Sequence, residues 1–137
     1  NRKVPLVRGF DDVFFAPHSG NTAVFMEDIE KVKDLTILAQ SDEVGVFLAI
    51  ADEGRKIFVM GHPEYDRLTL DKEYKRDKAK GLDIALPKNY YPGDDWELRP
   101  ELLWRSHGNA LYSNWLNYYV YQQTPYEFID TARIVGK

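Results

Sequence analysis

The stretch Ile57-Phe58-Val59-Met60-Gly61-His62-Pro63-Glu64-Tyr65-Asp66 constrains this chain most, because an apolar run ends on a glycine and delivers a histidine and a glutamate two residues apart. Four bulky or β-branched residues in succession predict a strand covered on both faces, and Gly61 lets the backbone turn without a Cβ clash. Pro63 fixes its own φ and stiffens that turn. Ligands of open α/β sheets sit at the carboxyl ends of strands, which places His62 and Glu64 for chemistry. A surface loop that happens to hold both residues is the competing reading. A histidine oriented by a carboxylate is a common general-base arrangement and also a common structural hydrogen bond.

The neighbouring segments supply a setting. Val44 to Ala51 and Lys56 to Met60 are apolar runs separated by Asp52-Glu53-Gly54-Arg55, the length and composition of a hairpin connection, so the central strand gains an antiparallel neighbour. Leu35 to Ala39 and Val13 to Ala16 read as further strands, the latter entering a Pro17-His18-Ser19-Gly20 loop. Glu27 to Lys33 reads as a short helical turn with Ile29 and Val32 inward. Beyond the His-Glu turn, Leu68, Leu70, Tyr74 and Ala79 recur at near-helical spacing up to Gly81, which predicts an amphipathic helix over 67–80. Leu82 to Pro100 is a long irregular loop, a class of segment that is often functional. Trp104 to Tyr121 predicts a large helix with an aromatic face, with Ser106 as its N-cap and Thr124-Pro125 as its stop. The tail from Tyr126 to Lys137 carries no readable signal.

Composition narrows the functional classes. A chain of 137 residues, 44% of them hydrophobic, is enough for one domain or one piece of one, since domains commonly run to roughly 100–150 residues. The net charge of −4, with acids and bases interspersed, argues against nucleic acid or a polybasic membrane contact. No apolar run approaches the ~20 residues that span a bilayer, and no secretory signal pattern opens the chain, so a cytoplasmic location is expected. Asn1 to Gly9 has neither a starting methionine nor a capping pattern and reads as a continuation of something longer. With no cysteine, disulfides, thiolate zinc sites and a cysteine nucleophile within these residues are excluded.

Several constellations compete. His18, His62 and His107 fall in separate loops or helix starts, without the short spacing of common zinc motifs, so no metal site is expected. Ser19 and Ser106 lack the glycine-flanked elbow of a serine hydrolase. Arg76, Arg99 and Arg105 are the candidate cations for an anionic substrate. Arg76, on the helix after the His-Glu turn, has the fork geometry to hold a carboxylate, or to pair with Glu73 or Asp77 as a solvated side chain. The aromatic helix reads first as packing surface. A non-enzymatic binding module, docking a partner through that helix, is the alternative class.

Taken together, Arg8-Gly9-Phe10-Asp11-Asp12, Ala16-Pro17-His18-Ser19, Gly61-His62-Pro63-Glu64-Tyr65-Asp66, Glu73-Tyr74 with Arg76-Asp77, Asn89-Tyr90-Tyr91-Pro92, Trp104-Arg105-Ser106-His107 and Asn114-Trp115-Leu116-Asn117-Tyr118-Tyr119-Val120-Tyr121-Gln122 follow one another in order. With Thr124-Pro125-Tyr126 they resemble the homoserine O-acyltransferases, from about Pro5 to Tyr126, over the C-terminal half of that family's protein. The resemblance implies an α/β fold, the C-terminal part of a class I glutamine-amidotransferase-like (flavodoxin-like) three-layer domain. Residues 1–137 would be one half of that domain, the nucleophilic cysteine lying in the other.

By the same resemblance, His62 is the general base, Glu64 its orienting partner, and Ser19 and Arg76 substrate-binding residues, Arg76 clamping the amino-acid carboxylate. The implied reaction moves an acyl group from acetyl-CoA or succinyl-CoA to the homoserine hydroxyl through an acyl-cysteine, in methionine biosynthesis and without a permanently bound cofactor. The implied partners are the N-terminal half of the same protein and a second copy in a homodimer. One departure stands out. Gly20 and Ala23 replace an arginine and an acidic residue usual in the family, which leaves another hydroxy-amino acid such as serine open as acceptor. Half of a central parallel sheet would also leave an unpaired, apolar strand edge.

Overall fold

The computed structural model of the chain describes residues 4–20 and 24–123. It is a mixed α/β arrangement built on a three-stranded meander, β1 (Leu35–Ser41), β2 (Gly45–Ala51) and β3 (Lys56–Val59), in the order β1-β2-β3 and antiparallel throughout. Among the described residues there are three α-helices, α1 (Met26–Ile29), α2 (Thr69–Ala79) and α3 (Arg105–Trp115), the last continuing as a π-helical turn over Leu116–Val120.

The doubly covered strand is β2, not β3. Val46, Phe47, Leu48 and Ala49 are all buried, Phe47 and Leu48 with Leu6 and Leu111, Val46 and Ala49 with Ile29. Among the described residues β3 pairs only with β2, through Leu48↔Val59 to Ala51↔Lys56, and forms an edge of the sheet. Phe58, Val59 and Met60 are therefore 40, 37 and 37% exposed, against the expectation of burial on both faces. The antiparallel neighbour expected for this strand is present, and the short connections at 42–44 and 52–55 join neighbours that must run antiparallel.

Other expectations are corrected in the same way. Val13 to Ala16 forms no strand and joins no ladder among the described residues, and Val13 faces solvent. Ile29 is inward in α1, whereas Val32 is exposed. Ser106 does not cap α3. Trp104 occupies the N-cap position, held there because its indole Nε1–H donates to the Tyr65 carbonyl at 2.8 Å, and Ser106 is already helical. Thr124-Pro125, Ala23 and the 126–137 tail lie outside the described residues.

α2 matches its expected place and ending. Gly81 takes φ +74°, and the bonds Gly81 N–H to Lys78 O (3.0 Å) and Leu82 N–H to Asp77 O (3.2 Å) close a Schellman motif that only a left-handed residue completes. The long 82–100 loop packs back on this helix. Tyr91 donates its hydroxyl to Asp71 Oδ1 at 2.8 Å, Lys75 pairs with the same oxygen, and Tyr90 bridges the Arg67 carbonyl and the Asp71 N–H. Burial and the Asp71 carboxylate both push the Tyr91 phenol upward, so it stays a donor. α2 is thereby fixed as a platform.

Candidate active site

The turn after β3 is held against the Pro17-His18-Ser19 loop. The His62 N–H donates to the Pro17 carbonyl at 2.8 Å, and Met60 N–H to Phe47 O at 2.8 Å. Gly61 is required for a reason the sequence did not display. A Cβ there would stand 2.8 Å from the Pro17 oxygen, 2.9 Å from the Phe47 ring and 3.1 Å from His18 Nε2. α3 leans on the same turn from the other side, where a Cβ on Gly108 would meet the Pro63 oxygen at 2.7 Å. Two glycines therefore bring three segments within contact of His62 and Glu64.

Within this turn His62 Nδ1 lies 2.9 Å from Glu64 Oε1. A carboxylate only accepts, so Nδ1 carries the hydrogen and the neutral ring keeps Nε2 as a free lone pair. Nε2 has no hydrogen-bond partner among the described residues. The two side chains are 36 and 52% exposed, open enough to meet a substrate. Tyr112 of α3 faces Glu64, and burial followed by that carboxylate raises the Tyr112 phenol.

Ser19 and Arg76 fall on the α2 side. Ser19 Oγ donates to Glu73 Oε2 at 2.8 Å, and the other Glu73 oxygen accepts the Tyr65 hydroxyl at 2.9 Å. Arg76, one turn further along α2, forks onto Asp77, Nε to Oδ1 at 2.7 Å and an NH2 nitrogen to Oδ2 at 2.8 Å. The Asp77 hydrogen bonds raise the Arg76 pKa, with smaller contributions from the Glu73 and Tyr65 charges. Its fork is thus already shaped to a carboxylate, supplied here by its own neighbour. Glu73, which sequence spacing offered as a partner of Arg76, instead serves Ser19 and Tyr65. Tyr65, Glu73 and Tyr112 were not singled out as site residues from sequence; the adjacency of Tyr65 to Glu64 and the three-residue spacing of Glu73 and Arg76 were the available signals.

The three histidines do not converge. His107 is packed beside Phe10 and Phe14, with Nε2 3.0 Å from Asp11 Oδ2. Among the described residues no group of three or more His, Asp or Glu side chains is arranged to hold a metal ion, and no helix is long and apolar enough to cross a membrane. His18 does border the turn, and desolvation, then the His62 charge, lower its pKa. In the unfolded chain His18 returns to the ordinary value of about 6.5 and binds protons that the folded form refuses, so this residue subtracts stability as pH falls below that value. Thermal melts of wild type and His18→Gln from pH 8 to pH 5 should show the variant losing less stability on acidification. Parallel profiles would contradict the assignment.

The chain belongs to the homoserine O-succinyltransferase family, whose sequence model matches residues 1–126. It is 68% identical over 137 residues to a homoserine O-acetyltransferase of Agathobacter rectalis, covering all of this chain and 44% of that protein. It is 68% identical over 127 residues to a homoserine O-acetyltransferase of Lachnoclostridium phytofermentans and 60% identical over 127 residues to one of Geobacillus kaustophilus, in each case 93% of this chain and 42% of the relative. The chain thus spans less than half the length of these relatives.

Proposed function

We propose that residues 1–137 supply the general base and the acceptor-binding side of a homoserine O-acyltransferase, as the C-terminal part of a class I glutamine-amidotransferase-like three-layer domain. The observation that carries this reading is the 2.9 Å contact of His62 Nδ1 with Glu64 Oε1 at a strand end, in a chain of this family. The imidazole Nε2 takes the proton of a cysteine thiol on the other half of the protein. The thiolate attacks the acyl-CoA thioester carbonyl, coenzyme A leaves with the proton returned by His62, and an acyl-cysteine remains. His62 then deprotonates the homoserine hydroxyl, which attacks the new thioester and regenerates the thiol. Glu64 stabilises the imidazolium each time.

Acetyl-CoA is the favoured donor because the relatives quoted above carry that activity in their names. It is a co-substrate, not a resident cofactor, and the reaction belongs to methionine biosynthesis in the cytoplasm. Gly20 leaves the loop after Ser19 short of a side chain, so serine is the competing acceptor to test. The remainder of the protein is the partner proposed for the exposed apolar residues of β3, and for the cleft of about 1380 Å³ bounded by residues 10–18, β1 and the 85–90 loop, which neither His62 nor Glu64 lines. A homodimer of the whole protein completes the assembly.

Assays of the whole protein with acetyl-CoA or succinyl-CoA, and with homoserine or serine, test the reading. Acyl transfer to homoserine is the expected result, and its absence with both donors would overturn the proposal. Arg76→Lys keeps a charge but loses the two-pronged grip on a carboxylate. A charge-assisted bond contributes about 1.5–3 kcal/mol, so the homoserine KM should rise roughly 10–100-fold while the donor KM stays near wild type.

A further inference from the structure

We infer that Tyr65 is a positioning residue for His62: a fixed aromatic plate that sets the plane of the imidazole, anchored through the carboxylate that Ser19 also binds. The His62 and Tyr65 rings lie parallel, 4.3 Å apart with an interplanar angle of 12°. The contact with Glu64 fixes only one ring atom, and Glu64 is itself half exposed, so that bond alone leaves the imidazole free to swing about it. Stacking removes this freedom only if the plate is immobile.

Tyr65 is tied at three points. Its hydroxyl donates to Glu73 Oε1 at 2.9 Å, its carbonyl accepts the indole N–H of the buried Trp104 at 2.8 Å, and its N–H donates to the His62 carbonyl at 3.1 Å. Glu73 sits on α2, which the Asp71-Tyr91 contact holds to the rest of the molecule. The other Glu73 oxygen takes Ser19 Oγ at 2.8 Å. A group that engages Ser19 thus acts on the anchor of the plate beneath the base. The inference rests on His62 being that base.

The test uses the whole protein with histidine labelled at Cε1, in wild type, Tyr65→Leu and Tyr65→Phe. A ring stacked at this distance shields the imidazole protons, so the wild-type His62 resonance should lie upfield and move downfield in Tyr65→Leu. Turnover in that variant should drop by roughly 10–100-fold, as a misplaced reacting group does, with homoserine KM little changed. Tyr65→Phe keeps the plate but loses its hydroxyl anchor on Glu73, so its shielding and kcat should fall between those of wild type and Tyr65→Leu. A folded Tyr65→Leu protein with an unmoved His62 resonance and wild-type kcat would overturn the inference. Should Tyr65→Leu not fold, an unshielded His62 resonance in the wild type would do the same, and a shielded one that weakens in Tyr65→Phe would support it. Failure of the enzyme reading looks different: no acyl transfer by the wild type, with the shielded resonance in place.

Discussion

His62→Ala should remove nearly all acyl transfer from the whole protein, whereas Glu64→Gln should leave a measurable fraction. The difference follows from the geometry at Nδ1. In the proposed mechanism neither the thiol nor the homoserine hydroxyl is deprotonated without the imidazole, and positioned acid-base groups are typically worth about 10²–10⁴-fold. An amide at position 64 still reaches the ring at the 2.9 Å contact. It lacks the charge that stabilises the imidazolium, however, and its NH2 group can hold the wrong tautomer. Steady-state turnover of the two variants at saturating donor checks this order, and Glu64→Gln falling below His62→Ala would reverse the roles.

Gly61→Ala should be nearly as damaging, through a methyl group that never touches substrate. The added carbon would sit 2.8 Å from the Pro17 carbonyl oxygen, which is backbone and is the acceptor for the His62 N–H, and 2.9 Å from the buried Phe47 ring. One neighbour is backbone and the other a ring of the core, so relief of the clash is expected to move the turn carrying His62 away from the Pro17-His18-Ser19 loop. A displacement of about 1 Å can cost on the order of 10²-fold in rate, and overpacking of this kind typically costs about 1–3 kcal/mol of stability. Paired measurements of kcat/KM and thermal midpoint should show both losses. Wild-type values in both would show that the approach is looser than these contacts require.

Local signals carried much of this fold and non-local ones did not. The β2–β3 hairpin and α2 with its Gly81 ending were legible because turn residues and helical spacing act within a few positions. Whether β3 is buried depends on what pairs its free edge, and whether Val13 to Ala16 becomes a strand depends on a partner ladder; neither is written in those residues. The cap of α3 went to Trp104 in place of Ser106 because of a bond to Tyr65, 39 residues away. The candidate site divides along the same line. His62 and Glu64 are two apart and follow Gly61, so their pairing could be foreseen. The Ser19-Glu73-Tyr65 network spans 54 residues and exists only once α2 lies beside the Pro17-His18-Ser19 loop. Arg76 was visible as a fork, but its engagement with Asp77 was one of two pairings that helix spacing left open.

Release of coenzyme A in the absence of acceptor is the most direct test of the division of labour between the two sides of the site. Mixing the whole protein rapidly with acetyl-CoA, without homoserine, isolates formation of the acyl-enzyme from its consumption. Wild type and Arg76→Lys should each release a burst of coenzyme A equal to the enzyme present, because the role proposed for Arg76 is on the acceptor alone, and His62→Ala should release none. A full burst from His62→Ala, together with its loss in Arg76→Lys, would contradict the assignment of base and clamp.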